Sequence, residues 1–455
     1  MAEASIAARL DRLPLTRFHF QLLWISAASL LFDTLDGLTC VFVLTTLRPV
    51  WGFGVATLGV VTALGLSGYL VGTFICGFVA DRIGRRRTIL WTLLFYSLFS
   101  VSRGWANEVT QLAALNFITF IFIGAESSIV PAFLAEFWPA RVRGRMNGAV
   151  MVFFGLGIAL APLWSLLIIP TFGWRWAFFL TGPFALLAAL MRYVLPESPR
   201  WLSEVGRVAE ADEVLKTIET RVERESGRPL PLAATDTPEV GSIRSELSAA
   251  DLLKPPFRRI TFMLWAAWFA EFSTLYLFQT FTPTILANEG YVIVKSFAYT
   301  AVIYGAMVPA YLLGGHLAEW IDRKYAVLLA FGMMAIGGTC FGMSTQQWQF
   351  MLFGAITTSF CAIGSAAIYT YTPELYPTRI RATGMGIASA WGRVGAVSVL
   401  LAFGFLYERY GKSLLFIISD SVLLAGAAAV IAYGPLTRKR SLEQISGQSR
   451  TQPAI

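Results

Sequence analysis

The sequence predicts an all-α membrane protein: twelve transmembrane helices arranged as two pseudo-symmetric six-helix bundles. Three observations carry that expectation. Of 455 residues, 56% are hydrophobic and only 14% charged, where a soluble chain has about a quarter charged, and the mean hydropathy is +0.62. The apolar residues fall in runs of roughly 18 to 26, the length of a spanning helix, whereas a membrane barrel shows alternating strands of about 10. Finally, two unrelated polar turns recur in the same order in the second half.

The runs cover 22–47, 57–80, 88–104, 110–135, 146–169 and 174–195, then 259–284, 297–319, 325–344, 347–371, 384–408 and 413–434. Ahead of the first, Asp11, Arg12, Pro14, Arg17 and His19 stand where a cleavable signal peptide would have its apolar core, so the first run is expected to remain as a helix. The third run is short for a full crossing. Residues 196–258 divide the chain: WLSEVGRVAEADEVLKTIETRVERE reads as one or two amphipathic helices and 227–243 as a flexible linker. The expected organisation is a six-helix half at 1–195, a cytoplasmic linker at 196–258, a second half at 259–436 and a cytoplasmic tail at 437–455.

Between the second and third runs lies GFVADRIGRRR, Gly77 to Arg87, echoed between the eighth and ninth by GGHLAEWIDRKYA with Glu319, Asp322, Arg323 and Lys324. Between the fourth and fifth lies AEFWPARVRGRMNG, echoed by PELYPTRIRATGMG, so Glu136, Arg141 and Arg143 match Glu374, Arg379 and Arg381. Short cytoplasmic loops hold the positive charge. Arg82 to Arg87, Arg141, Arg143, Arg323 and Arg379 sit on one side, against isolated Arg103, Lys295, Arg409 and Lys412 on the other, which puts both termini in the cytoplasm.

The same loops account for the net charge of +8, so nucleic-acid binding is not expected. Cys40, Cys76, Cys340 and Cys361 lie within or beside apolar runs without metal spacing and read as packing residues. No GxxxxGK[ST] loop and no nucleophile–base constellation occurs, so neither an ATPase nor another enzyme is expected, nor a cofactor or metal.

The turn Gly77 to Arg87 resembles the best-known cytoplasmic signature of the major facilitator superfamily. PESPRWL, Pro196 to Leu202, resembles the motif ending the sixth helix in its sugar-porter-like and organic-ion branches, and RLDRLPLTRFH with LLFDTLDG is similar to bacterial metabolite:proton symporters. That branch is similar to nicotinate transporters, aromatic-acid symporters and the synaptic-vesicle glycoprotein group. The resemblance covers residues 9–436. It implies a multi-pass protein of the bacterial cytoplasmic membrane that moves solutes by alternating access between its halves.

Within that scheme Gly77, Asp81, Arg82, Gly84, Arg85, Glu136, Arg141, Arg143, Glu319, Arg323, Glu374, Arg379 and Arg381 are candidates for a conformational latch. Gly77 permits close helix approach and Gly84 a tight reversal, while Arg82 and Arg85 can pair across the seam, for example with Glu136. The alternative for Arg86 and Arg87 is loop polarity alone.

Ionisable residues inside the runs are the candidates for chemistry, because a charge there costs at least a few kcal/mol. Asp33 and Asp36 share roughly one helical face and, by mutual repulsion, can exchange a proton; the resemblance favours Asp36. Glu126 lies ten residues before Glu136, about 15 Å up the helix, and Glu271 is near the middle of the seventh run; both are further proton candidates, with Asp420, His19 and His316 behind them. Arg393, about 18 Å into the eleventh run, must be paired or meet an anion, and similar organic-anion carriers place arginine in this helix. Its alternative is a permanent pair with Glu271 or another acid. Trp265, Trp268, Tyr276, Gln279, Tyr304, Tyr369 and Trp391 are candidate lining residues around it, with Arg393, Gln279, Tyr276, Trp391 and Tyr369 forming the expected substrate site.

The expected function is proton-coupled symport of a small organic anion, such as an aromatic or other monocarboxylic acid, by a monomer in the lipid bilayer. Alternatives are a sugar or polyol porter, a proton-antiport exporter, and a transport-inactive sensor.

Overall fold

The computed structural model describes residues 6–139, 142–193, 195–231, 249–255, 257–376 and 378–437. Arg141, residues 232–243 of the expected linker and the tail from 438 lie outside the described residues, as do the side chains of Arg143, His316, Glu319 and Arg379.

The helices are α1 (Ile6–Asp11), α2 (Arg17–Trp51), α3 (Val55–Ile83), α4 (Arg85–Ser102), α5 (Val109–Phe137), α6 (Arg143–Phe172), α7 (Trp174–Phe179), α8 (Thr181–Tyr193), α9 (Pro199–Glu204), α10 (Val208–Ser226), α11 (Arg258–Asn288), α12 (Ile293–Gly305), α13 (Met307–Trp320), α14 (Arg323–Met343), α15 (Gln347–Glu374) and α16 (Thr378–Tyr433). Among the described residues, nine helical stretches are long and apolar enough to cross a membrane.

Local chemistry explains the breaks. Between α3 and α4, Gly84 takes φ 102°, a conformation that favours glycine, and reverses the chain in one residue. The expected sixth run is two helices, α7 and α8, because Pro183 has no N–H for the Phe179 carbonyl and its ring crowds that oxygen. The eighth divides at Ala306 for the same reason, with Pro309 facing the Gly305 carbonyl. In α16, the turn expected near 409–412 is carried by Gly411 alone, at φ 72°.

Two compact units result. The first contains Met1–Gly37, Ser67–Ile158 and Phe172–Arg244, the second Leu38–Leu66, Ala159–Thr171 and Ser245–Ile455. Leu93, Tyr96, Phe133, Leu134, Phe137 and Trp138 form the buried core of the first. In the second, Phe278, Phe341 and Phe416 pack with ring centroids 5.2 to 5.3 Å apart.

The repeated turns give repeated ion pairs, one within each unit. Arg85 at the start of α4 donates Nε to Glu136 at the end of α5 at 3.2 Å. Arg323 at the start of α14 stands 3.2 Å from Glu374 at the end of α15. Arg85 also holds Asp81 at 2.6 Å. The Arg85–Glu136 bond is thus internal to the first unit, not a bridge across a seam, since both residues flank the same helix pair. Arg82 is exposed and forms no ion pair among the described residues.

The segment after α8 supplies the two expected amphipathic helices, α9 and α10. Ser198 caps α9 by accepting from Trp201 N, and Ala211, Leu215, Ile218 and Val222 bury one face of α10. Glu197 accepts from Arg86 N at 3.0 Å, and Trp201 Nε1 donates to the Asp81 carbonyl at 3.1 Å, so the first cytoplasmic turn is tied to this segment.

Helix α1, which hydrophobic periodicity does not reveal, is clamped to α10. Arg9 donates to Asp212 at 2.6 Å and to both Glu219 oxygens at 3.0 and 2.6 Å, and Arg12 reaches Glu219 at 2.7 Å. Burial raises the pKa of Glu219, but hydrogen bonds and charge from Arg9 and Arg12 outweigh it and hold the group below its ordinary value. A depressed folded value means that the clamp's contribution is full above the unfolded pKa of about 4.3 and is lost as pH falls through the folded value. Amide protection of α1, corrected for intrinsic exchange, should therefore be constant above about pH 5 and decline below about pH 4. In Glu219→Gln it should be weaker at neutral pH and respond less to acid.

Candidate functional site

Helix α2 carries two acids, Asp33 and Asp36, and both are buried. Asp36 accepts from Thr181 Oγ1 at 2.8 Å and Ser100 Oγ at 3.0 Å, and forms an ion pair with Arg103. The guanidinium of Arg103 also donates to Asn116 Oδ1 at 3.2 Å and lies 4.5 Å above the Phe178 ring. Both members of the pair are fully buried.

Glu126 of α5 forms a second closed cluster in the same unit. Its carboxylate accepts from Ser29 Oγ at 3.0 Å and Thr92 Oγ1 at 3.1 Å, and it pairs with Arg192 of α8. Arg192 also donates to the Ser26 carbonyl at 3.0 Å. Each acid meets several donors and a full positive charge, the arrangement that makes a buried ion sustainable.

Asp33 differs. One turn before Asp36 on α2, it is 2% exposed, and neither carboxylate oxygen has a hydrogen-bond partner among the described residues. Its charged neighbours are Glu126, Arg192 and Asp36. The expected Asp33–Asp36 couple is therefore one acid neutralised by arginine beside one that is not.

The arginines were not among the expected site residues. Arg103 reads in the sequence as an isolated positive charge of an outer turn, yet it is wholly buried; its signal is a lone arginine at the very end of the third apolar run. Arg192 lies inside the sixth run and stands out there by the same criterion that selects Glu126, a charge at membrane depth.

In the second unit the expected substrate residues gather on α11, α15 and α16. Trp391 stacks on Trp265 with centroids 5.1 Å apart, and Tyr369 meets Trp268 edge-on at 4.7 Å. Phe272 bridges Trp268 and Tyr276. The Arg393 guanidinium lies 6.0 Å from the Phe272 ring centre and donates Nη1 to the Ser389 carbonyl at 3.1 Å. No ion pair with Glu271 exists among the described residues, so the permanent pair considered for Arg393 is not formed with that acid. Trp391 and Tyr369 are 39% and 37% exposed although both lie along long helices; they face open space and not a core.

Two expected lining residues have structural work instead. Trp268 is fully buried and donates Nε1 to Thr372 at 2.9 Å, and Tyr304, also buried, donates to the Phe278 carbonyl at 2.8 Å. Gln279 is 5% exposed, and its Nε2 has no partner among the described residues. Glu271 accepts from Ser365 Oγ at 2.8 Å, and Asp420 from Thr339 at 2.8 Å. His19 is buried and its Nδ1 accepts from Thr16 N at 3.3 Å, a local turn contact.

Toward the other end of the second unit, α2 and α3 close against α11 and α16. Thr45 meets Thr284 at 2.9 Å, Arg48 donates to Asn288 at 2.6 Å, and Glu408 accepts from Ala56 N at 3.1 Å. A cavity of about 460 Å³ beside this seam is lined by Thr45, Arg48, Asn288 and Tyr291, and by none of the expected substrate residues.

Residues 52–448 match the sugar (and other) transporter family. The chain is 33% identical to the niacin transporter NiaP of Acinetobacter baylyi over 97% of this chain and 99% of that protein. It is 28% identical to a gallate transporter of Pseudomonas putida, over 93% and 94%. Among solved structures, the inward-open xylose transporter XylE from E. coli superposes with a TM-score of 0.76 at 18% identity, covering 94% of this chain and 99% of that one.

A buried ion pair loses far more when one member is removed than when both are replaced. Arg103→Gln should therefore lower thermal stability in detergent markedly, on the order of 3–5 kcal/mol for a stranded Asp36. Asp36→Asn combined with Arg103→Gln should recover a large part of that loss. Equal and additive losses would contradict the pairing.

Proposed function

The chain belongs to the sugar (and other) transporter family of the major facilitator superfamily, and we propose that it imports a single-ring aromatic carboxylate together with protons. The observation that carries this reading is the Arg393 guanidinium 6.0 Å from the Phe272 ring, which packs against Tyr276 and Trp268 in an aromatic cluster that continues to Tyr369. A planar arginine fork matches a carboxylate, and the rings match an aromatic body. Niacin and gallate, named for two relatives, share that chemistry: one ring, one carboxylate.

Asp33 is the proton carrier in this reading. Asp36 and Glu126 each have an arginine that stabilises the ionised form, whereas Asp33 has no donor among the described residues and is neutralised most economically by a proton. Asp36 and Glu126, the acids first favoured, become fixed struts that position α2.

The nine apolar stretches, a second crossing after Gly411 in α16, the shorter α4 and the broken α7–α8 make twelve crossings. They form two halves, 1–195 and 259–436, joined by the 196–258 linker, in the bacterial inner membrane with both termini cytoplasmic and the monomer as the working unit. Arg85–Glu136 and Arg323–Glu374 are latch pairs at the cytoplasmic ends of matching helices. The contacts of Thr45, Arg48 and Ala56 with α11 and α16 form the outer gate.

Two variants test separate parts in proteoliposomes. Arg393→Ala should raise the KM for nicotinate about 10-fold or more, the loss of a charge-assisted hydrogen bond worth about 1.5–3 kcal/mol; unchanged saturable uptake would place the anion site elsewhere. Asp33→Asn should lower the accumulation driven by a pH gradient while retaining counterflow exchange of nicotinate. Full pH-driven accumulation in that variant would exclude Asp33 as the carrier.

A further inference from the structure

In the first unit, two of the three deeply buried acids of α2 and α5 have an arginine. In the second unit neither Glu271 nor Asp420 has one among the described residues. Glu271 of α11 is fully buried; Oε1 accepts from Ser365 at 2.8 Å, and Oε2 has no partner. That oxygen stands 2.8 Å from where a side chain on Gly364 would begin, so the absence of a side chain on α15 makes its berth. The titratable groups facing Glu271 are Tyr311 of α13, Cys361 of α15 and Asp420 of α16, the last through Cys361, which senses both acids. Apolar Ala330 of α14 lines the same space beside Gly364. No lysine or arginine contributes to either acid among the described residues.

A bare carboxylate in such surroundings costs several kcal/mol, and one hydroxyl donor does not offset that. The neutral acid, by contrast, needs only one acceptor for its proton. Tyr311 lies within electrostatic range of Glu271, Tyr276 and Tyr369.

We propose that Glu271 is a second proton-carrying carboxylate, loaded and unloaded once per cycle. This rests on the reading of the chain as an aromatic-carboxylate symporter with Asp33 as its first carrier. Charge balance then has a consequence: one proton with one monoanion moves no net charge, whereas two protons with one monoanion carry one positive charge inward. Transport should be driven by membrane voltage as well as by the pH gradient.

The test uses the full chain in proteoliposomes with nicotinate, a fixed pH gradient, and a potassium diffusion potential set by valinomycin. Imposing about 60 mV, inside negative, should raise steady-state accumulation about tenfold for one net charge. Glu271→Gln, which keeps the shape and polarity of the neutral acid, should reduce that factor to below about twofold, and Asp420→Asn should leave it near tenfold. Voltage-blind uptake by the unaltered protein would overturn the proposal alone, as would a full voltage response in Glu271→Gln or its loss in Asp420→Asn. Absence of any pH-driven uptake of nicotinate or gallate would overturn the transport reading beneath it, and the proposal with it.

Discussion

A charge held inside a membrane protein must be compensated there, because hydrocarbon offers it nothing. That constraint organises the first unit. Asp36 with Arg103 and Glu126 with Arg192 are two closed sets of ionic hydrogen bonds, each drawing hydroxyls from neighbouring helices. They join α2 to α4, α5 and α8 at fixed depths, where apolar packing alone permits helices to slide. Against this background an acid without such compensation is conspicuous, and Asp33 is one.

The second unit uses different materials. Aromatic rings of α11, α15 and α16 pack on one another, Arg393 lies near one of them, Phe272, and the buried acids Glu271 and Asp420 rest on hydroxyls. The contrast is between aromatic packing in one unit and ionic bracing in the other, with Asp33 in the first and Glu271 and Asp420 in the second having no ion pair among the described residues. At the helix ends the two are alike, since Arg85–Glu136 and Arg323–Glu374 repeat the same ion pair with the same 3.2 Å separation. This likeness is a physical trace of the repeated turns.

Much of this was legible in the chain. Apolar runs located the long helices, and the polar turns located Gly84 as a reversal and the break at 409–412, because hydropathy and backbone chemistry are local properties. The interruptions at Pro183 and Pro309 were missed since each sits within a run whose composition is unbroken. Helix α1 is too short for a periodic signal; its place is set by Arg9 and Arg12 reaching Glu219, some 200 positions away. The acids at Asp33, Asp36, Glu126 and Glu271 were identified as candidates by depth alone, but which of them has a partner is a tertiary fact. Arg103 and Asp36 are 67 positions apart, and Arg192 and Glu126 are 66; nothing local marks them as pairs.

The central claim is that Asp33 exchanges a proton with each passage of the aromatic acid. The direct measurement is external pH in a weakly buffered suspension of de-energised vesicles containing the protein, after addition of nicotinate. Alkalinisation that tracks substrate entry, and that falls per nicotinate taken up with Asp33→Asn, is the predicted result. Substrate entry at undiminished rate with no change in external pH would contradict it.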